Sequence, residues 1–208
     1  MKKDTTREKI VPSQKRGTET GARHKVKAKT KEEAQQLFKT AKERLMKIDH
    51  WADYSAIAIA ETVLTDNKGN KVQRSPQLGD YIRIDLAGPG PRSGDGYDWV
   101  RIEEIIDNSF AQGETESFGF RVRPADNPFS TNDETSHFYT SDATSTFMIE
   151  RKGNTVIASE MGRNEIPNTG TEKVADKVRN AVIATGGMLG LSVAQWKLLM
   201  RGILTIKE

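Results

Sequence analysis

A chain of 208 residues with 32 Lys and Arg, 29 Asp and Glu and no cysteine reads as one domain or one domain plus a tail. The missing cysteines exclude disulfides, thiolate metal sites and a cysteine nucleophile, and are compatible with a reducing, cytoplasmic setting. Charge is unevenly divided: Met1 to Thr30 holds ten Lys or Arg against three acids, a net +7, and the remainder is net −4.

In chain order, residues 1–29 have only Ile10, Val11 and Val26 as branched aliphatics. They are therefore expected to form a disordered basic tail before a single domain over 30–208. Charges there are followed by no apolar run, so no secretory signal is expected. Within the tail, Val26 and Ala28 alternate with lysines, the pattern of a short strand at Lys25 to Lys29. Thr30 with Glu33 forms a capping box, and Ala34, Leu37, Phe38, Ala41, Leu45 and Ile48 repeat at helical spacing, so a helix is predicted from Thr30 to near Asp49. Trp51 and Tyr54 are placed to anchor its exit to a sheet.

Ala56 to Asp66 is a predicted strand, and Asn67-Lys68-Gly69-Asn70 has the residue types of a hairpin turn. Ile82, Ile84 and Leu86 alternate with Tyr81, Arg83 and Asp85, as in a strand with one buried face. Gly88 to Pro91 interrupts it. The return strand places Val100 and Ile102 on one side and Trp99, Arg101, Glu103 and Ile105 on the other, so pattern alone does not decide which side meets the core. Glu116 to Arg123 alternates Phe118, Phe120 and Val122 with Gly119, Arg121 and Arg123. His137 to Glu150 is read as a long strand with an exposed start, turning at Lys152-Gly153-Asn154 into Thr155 to Met161. Six or seven strands with short connections make an antiparallel sheet the economical arrangement. Thr171 is placed to cap a helix carrying Val174, Val178, Ala181 and Val182. Gly186 and Gly187 interrupt it, and Ser192 with Gln195 restarts it with Val193, Trp196, Met200 and Ile203 as its apolar stripe. Gln195, Lys197 and Arg201 argue against a membrane span in this apolar region.

Signals for catalysis are sparse. His24, His50 and His137 are too scattered for a metal cluster, so no metal, cofactor or catalytic residue is assigned. Asp49, His50 and Asp53 are close enough for acid-base work, but a cation at a helix C-terminus flanked by solvated acids explains them as well. The loop Gly88 to Gly96 is glycine-rich without the lysine of a phosphate-binding loop, and Gly162 to Thr169 is a second polar loop. Arg83, Arg101, Arg121 and Arg123 all lie opposite apolar positions. They form either a solvated cross-strand charge ladder with Asp85 and Glu103, or a cavity wall receiving a carboxylate or phosphate.

A helix leaving through His50-Trp51-Ala52-Asp53-Tyr54, a strand opening at Gly79-Asp80-Tyr81, about six antiparallel strands and a closing helix follow one another. This order, over residues 25–205, resembles the START-like and Bet v 1-like helix-grip superfamily. The resemblance implies a curved sheet gripping the C-terminal helix around a cavity for lipids or other hydrophobic molecules. That family places two short helices after its first strand, and here one longer helical segment is expected. The resulting expectation is an α+β domain, an antiparallel curved sheet with an N-terminal and a C-terminal helix packed on it, binding a small hydrophobic or anionic molecule without catalysis. The ligand-binding candidates are Arg83, Trp99, Arg101, Arg121, Arg123 and Trp196. The rival expectation is an interaction module whose basic tail binds nucleic acid through counterion release.

Overall fold

The computed structural model describes residues 5–55, 60–85, 94–109, 113–130, 135, 137, 139–168 and 193–205. In chain order the elements are α1 (Thr5–Ile10), β1 (Thr18–Lys27), α2 (Lys31–Met46), a 3₁₀ turn (Ile48–His50), α3 (Trp51–Tyr54), β2 (Glu61–Thr65), β3 (Tyr81–Asp85), β4 (Asp98–Asp107), β5 (Thr115–Pro124), β6 (Thr144–Lys152), β7 (Thr155–Glu165) and α4 (Val193–Leu204). The helix expected from Thr171 and the loop Gly88 to Pro91, with Arg92, lie outside the described residues.

Seven strands form one antiparallel, curved sheet in the order β1-β7-β6-β5-β4-β3-β2. Alternation gives its inner face Ile82 and Ile84, Val100 and Ile102, Phe118, Phe120 and Val122, Phe147 and Ile149, then Val156 and Ala158, all buried. Helices α2, α3 and α4 cover that face. Helix α2 begins as the capping box requires: the Thr30 hydroxyl accepts from the Glu33 N–H at 3.1 Å, and the Glu33 carboxylate accepts from the Lys29 N–H at 2.9 Å. It buries Ala34, Leu37, Phe38, Ala41 and Leu45. The chain then turns at Ile48–His50 into α3, so two helical segments follow β1.

Trp51 is the pivot of the core. Its indole N–H donates to the Leu45 carbonyl at 3.1 Å, closing the helix exit, and its ring lies 4.9 Å from Phe147 and 6.3 Å from Phe120. Phe147 is in turn 5.4 Å from Trp196 of α4. Aromatic contacts thus run continuously from α3 across the sheet to the last helix, where ring pairs add about 0.5–1.5 kcal/mol each beyond burial. Helix α4 meets the α3 exit through Gly202, where an added Cβ would fall on the Tyr54 carbonyl oxygen.

The residues expected to be a disordered tail contain two elements of the fold. Strand β1 pairs along β7, with Val26 opposite Val156 and Ala22 opposite Glu160. As an edge strand it needs few apolar side chains, because one partner satisfies half its backbone and its lysines face solvent. Helix α1 packs on the outer face, where Ile10 is fully buried with Met148 and Met161 against Val11 and Ile106. The start of the His137 segment also differs from expectation. His137, Tyr139 and Thr144 are buried, and the strand itself begins only at Thr144.

Candidate functional site

The four arginines singled out from the sequence lie on the outer face, away from α2 and α4. A register shift between Ile102 and Glu104 places both Glu103 and Glu104 toward Arg121. Arg121 pairs with Glu103 and, at 2.8 Å, with Glu104, while Arg123 reaches Glu103 at 2.7 Å. Burial pushes the Glu103 carboxyl up, but the Arg123 and Arg121 hydrogen bonds outweigh it and hold it below the usual carboxylate value. Arg121 also donates to the Ile10 carbonyl at 2.5 Å, fastening α1 to the sheet. Arg83 stacks over Tyr97 at 4.3 Å, and Arg101 is exposed beside Gly79. Trp99 is buried on this same side between Tyr81 and Phe129, with its N–H on the Gly94 carbonyl at 3.3 Å. These residues build a charge ladder and a small outer core; they do not converge on the helix-covered face.

The Asp49 group also has structural work. Asp49 accepts from the Leu64 N–H at 2.6 Å and faces Lys71 at 3.4 Å, so it ties the helix exit to β2. His50 pairs with Asp53 at 2.8 Å in solvent. Asp49 and His50 share an open groove of about 700 Å³ with Leu64, Lys71, Val72 and Arg74, and His137 does not line it. Among the described residues no group of three acids and histidines is placed to hold a metal ion.

The inner face contains a polar group that the sequence reading did not single out. On β7 the inward positions run Val156, Ala158, Glu160, so Glu160 projects toward the helices and is fully buried. Burial pushes its carboxyl up to about 8; Ser145 offsets this with a 2.7 Å hydrogen bond, and nearby Glu165 adds to it. Near neutral pH the group is therefore mostly a carboxylic acid, able to donate as well as accept. Its Oε2 has no hydrogen-bond partner among the described residues, and the same is true of the Trp196 indole N–H and the Thr20 hydroxyl. Phe147 connects the first two: it stands directly opposite Glu160 across the β6–β7 ladder, and its ring contacts Trp196. Gly162, the next inward position, leaves room for this cluster, since a Cβ there would strike the Thr20 hydroxyl and lie 2.5 Å from Glu165 Oε1.

The sequence signal for Glu160 was available. A strand written Val156-Ile157-Ala158-Ser159-Glu160 puts a glutamate on the small, apolar parity of the strand, where a solvated residue does not belong. Trp196, expected to bind ligand, lies at the sheet-helix interface and is fully buried.

No family model matches the chain, and no curated protein does either. Solved structures similar to it include a STAR-related lipid transfer protein from Xanthomonas axonopodis, 10% identical with a TM-score of 0.44, covering 88% of this chain and 85% of that one. Ginseng major latex-like protein 151 from Panax ginseng is 12% identical with a TM-score of 0.37, covering 81% and 94%. A point mutant of norcoclaurine synthase from Thalictrum, in complex with a transition state analogue, is 8% identical with a TM-score of 0.35, covering 90% and 95%. At these identities and TM-scores the likenesses say nothing of this chain's ligand or activity. Among the described residues no helix is long and apolar enough to cross a membrane.

Proposed function

We propose that the protein binds a small, mostly apolar molecule carrying one oxygen-bearing polar end, held between the sheet and α4 with that end on Glu160 and Trp196. The observation that carries this reading is the pair of fully buried polar groups facing one shared neighbour, Phe147, with an indole N–H and a carboxyl oxygen that no described residue satisfies. Leaving a buried donor or acceptor unmade costs on the order of 1–3 kcal/mol, so two such atoms on residues that share the neighbour Phe147 favour a ligand that completes them. Both the indole N–H and a protonated carboxyl donate, so the complement is an acceptor: the carbonyl, carboxyl or hydroxyl oxygen of the ligand. The surrounding rings of Trp51, Phe120 and Phe147 supply the apolar wall, the usual chemistry of a small-molecule site with a few placed polar groups.

Native mass spectrometry beside the denatured mass tests this. The expected result is an additional mass on the native protein, lost on denaturation, or saturable binding of decanoic acid that is weakened in Glu160→Leu and Trp196→Phe. A buried water would serve the same atoms but would add no retained organic mass and would leave decanoic acid unbound. That outcome would overturn the proposal.

A further inference from the structure

A second site lies on the other side of α4, where the helix meets edge strand β1. The groove between them is about 590 Å³ and is lined by Arg23, His24, Ala194, Lys197, Leu198 and Arg201, with no acidic side chain among them. Lys197 and Arg201 are one helical turn apart and both exposed, a like-charge spacing that weakens a helix by a few tenths of a kcal/mol. None of the four basic side chains forms an ion pair or a side-chain hydrogen bond with a described residue, although most other arginines of the sheet do. His24 is half-buried, and its imidazole is held below the usual histidine value, first by burial and then by the facing Arg201 charge. Cations gathered at one groove without a counter-charge repel one another, and an anion seated among them relieves that repulsion.

We propose that the β1–α4 groove binds a phosphate group. Arg23 and His24 line the groove from the strand and Lys197 and Arg201 from the helix, so a tetrahedral anion is bordered by both elements, with the Arg201 guanidinium fork suited to its oxygens. Ala194 and Leu198 give the groove an apolar wall beside the cations. The phosphate therefore comes either free in solution or as the headgroup of a lipid whose glycerol and first methylenes lie on that wall. This site is separate from the Glu160 cluster and does not depend on it: one faces into the sheet and the other opens to solvent.

The test measures inorganic phosphate binding at constant ionic strength by NMR titration, alongside sedimentation with phosphatidylcholine vesicles containing phosphatidic acid. Lys197→Gln/Arg201→Gln is compared with Lys25→Gln/Lys27→Gln, which removes the same charge elsewhere. Each lost charge-assisted hydrogen bond weakens binding roughly tenfold, so the first double variant is expected to lose about a hundredfold and the second almost nothing. Retention of inorganic phosphate binding by the control identifies a free-phosphate site, and binding confined to the acidic vesicles identifies a headgroup site. Equal weakening in both variants, or no binding of either probe by the full chain, would overturn the proposal.

Discussion

Replacing Glu160 by Gln should flatten the pH dependence of stability, and the magnitude follows from its burial. The wild-type carboxyl has an ordinary value of 4.5 and is raised to about 8 in the fold by burial, only partly offset by Ser145. Below pH 4.5 both folded and unfolded chains carry the proton, and its stabilising contribution is fully present. Between 4.5 and 8 the unfolded chain ionises while the folded one does not, so the unfolded state binds fewer protons and stability falls as pH rises. At about 1.4 kcal/mol per pH unit, the span amounts to about 5 kcal/mol, an upper figure because nearby groups relax. Gln keeps a hydrogen bond available to Ser145 and cannot ionise. Urea unfolding of wild type and Glu160→Gln at pH 5 and pH 8 is the assay. The variant should gain most at pH 8, with the difference between the two proteins shrinking toward pH 5. Parallel pH profiles would show that Glu160 is not buried in its acid form and would refute the reasoning.

Gly202→Ala should destabilise by about 1–3 kcal/mol, despite the better helix propensity of Ala, because the new Cβ falls on the Tyr54 carbonyl; a thermal melt showing an unchanged or raised midpoint would contradict this. Trp51→Ala removes the ring that joins α3 to Phe120 and Phe147 and should cost about 3–5 kcal/mol by denaturant titration. Deleting residues 1–13 uncovers the outer patch and forfeits about 1.5–3 kcal/mol of Ile10 burial. In that truncated chain Met148 and Met161 should oxidise faster in peroxide, read by peptide mass, while the inner core stays folded.

Helix α2, the apolar stripe of α4 and the central strands were legible because local rules and tertiary needs agree there. Thr30 and Glu33 cap α2 as their spacing requires, and Phe118, Phe120 and Val122 fall on one face of β5. Strand β1 was only half legible. Its Val26 and Ala28 alternation was visible, but the segment's order comes from pairing with β7, some 130 residues distant, which composition does not register. The mixed face of β4 has a specific cause: the register shift at Glu103 reverses the alternation, sending Ile105 inward opposite Phe120 and Ile106 outward beside Ile10. No single parity could have described that strand. Of the two roles left open for the arginines, Arg121 and Arg123 take the cross-strand ladder with Glu103, and Glu104 joins it at Arg121 only through that same shift. For Glu160 the parity signal existed, but its burial depends on the helices that cover the inner face of β7, which the strand's own residues do not register.

The most direct test of the binding account is the Trp196 indole N–H resonance, assigned with Trp196→Phe and followed during titration with decanoic acid. The account predicts that it shifts and saturates with the ligand, and that Glu160→Leu weakens the response. A folded protein whose Trp196 resonance stays fixed throughout the titration would contradict it.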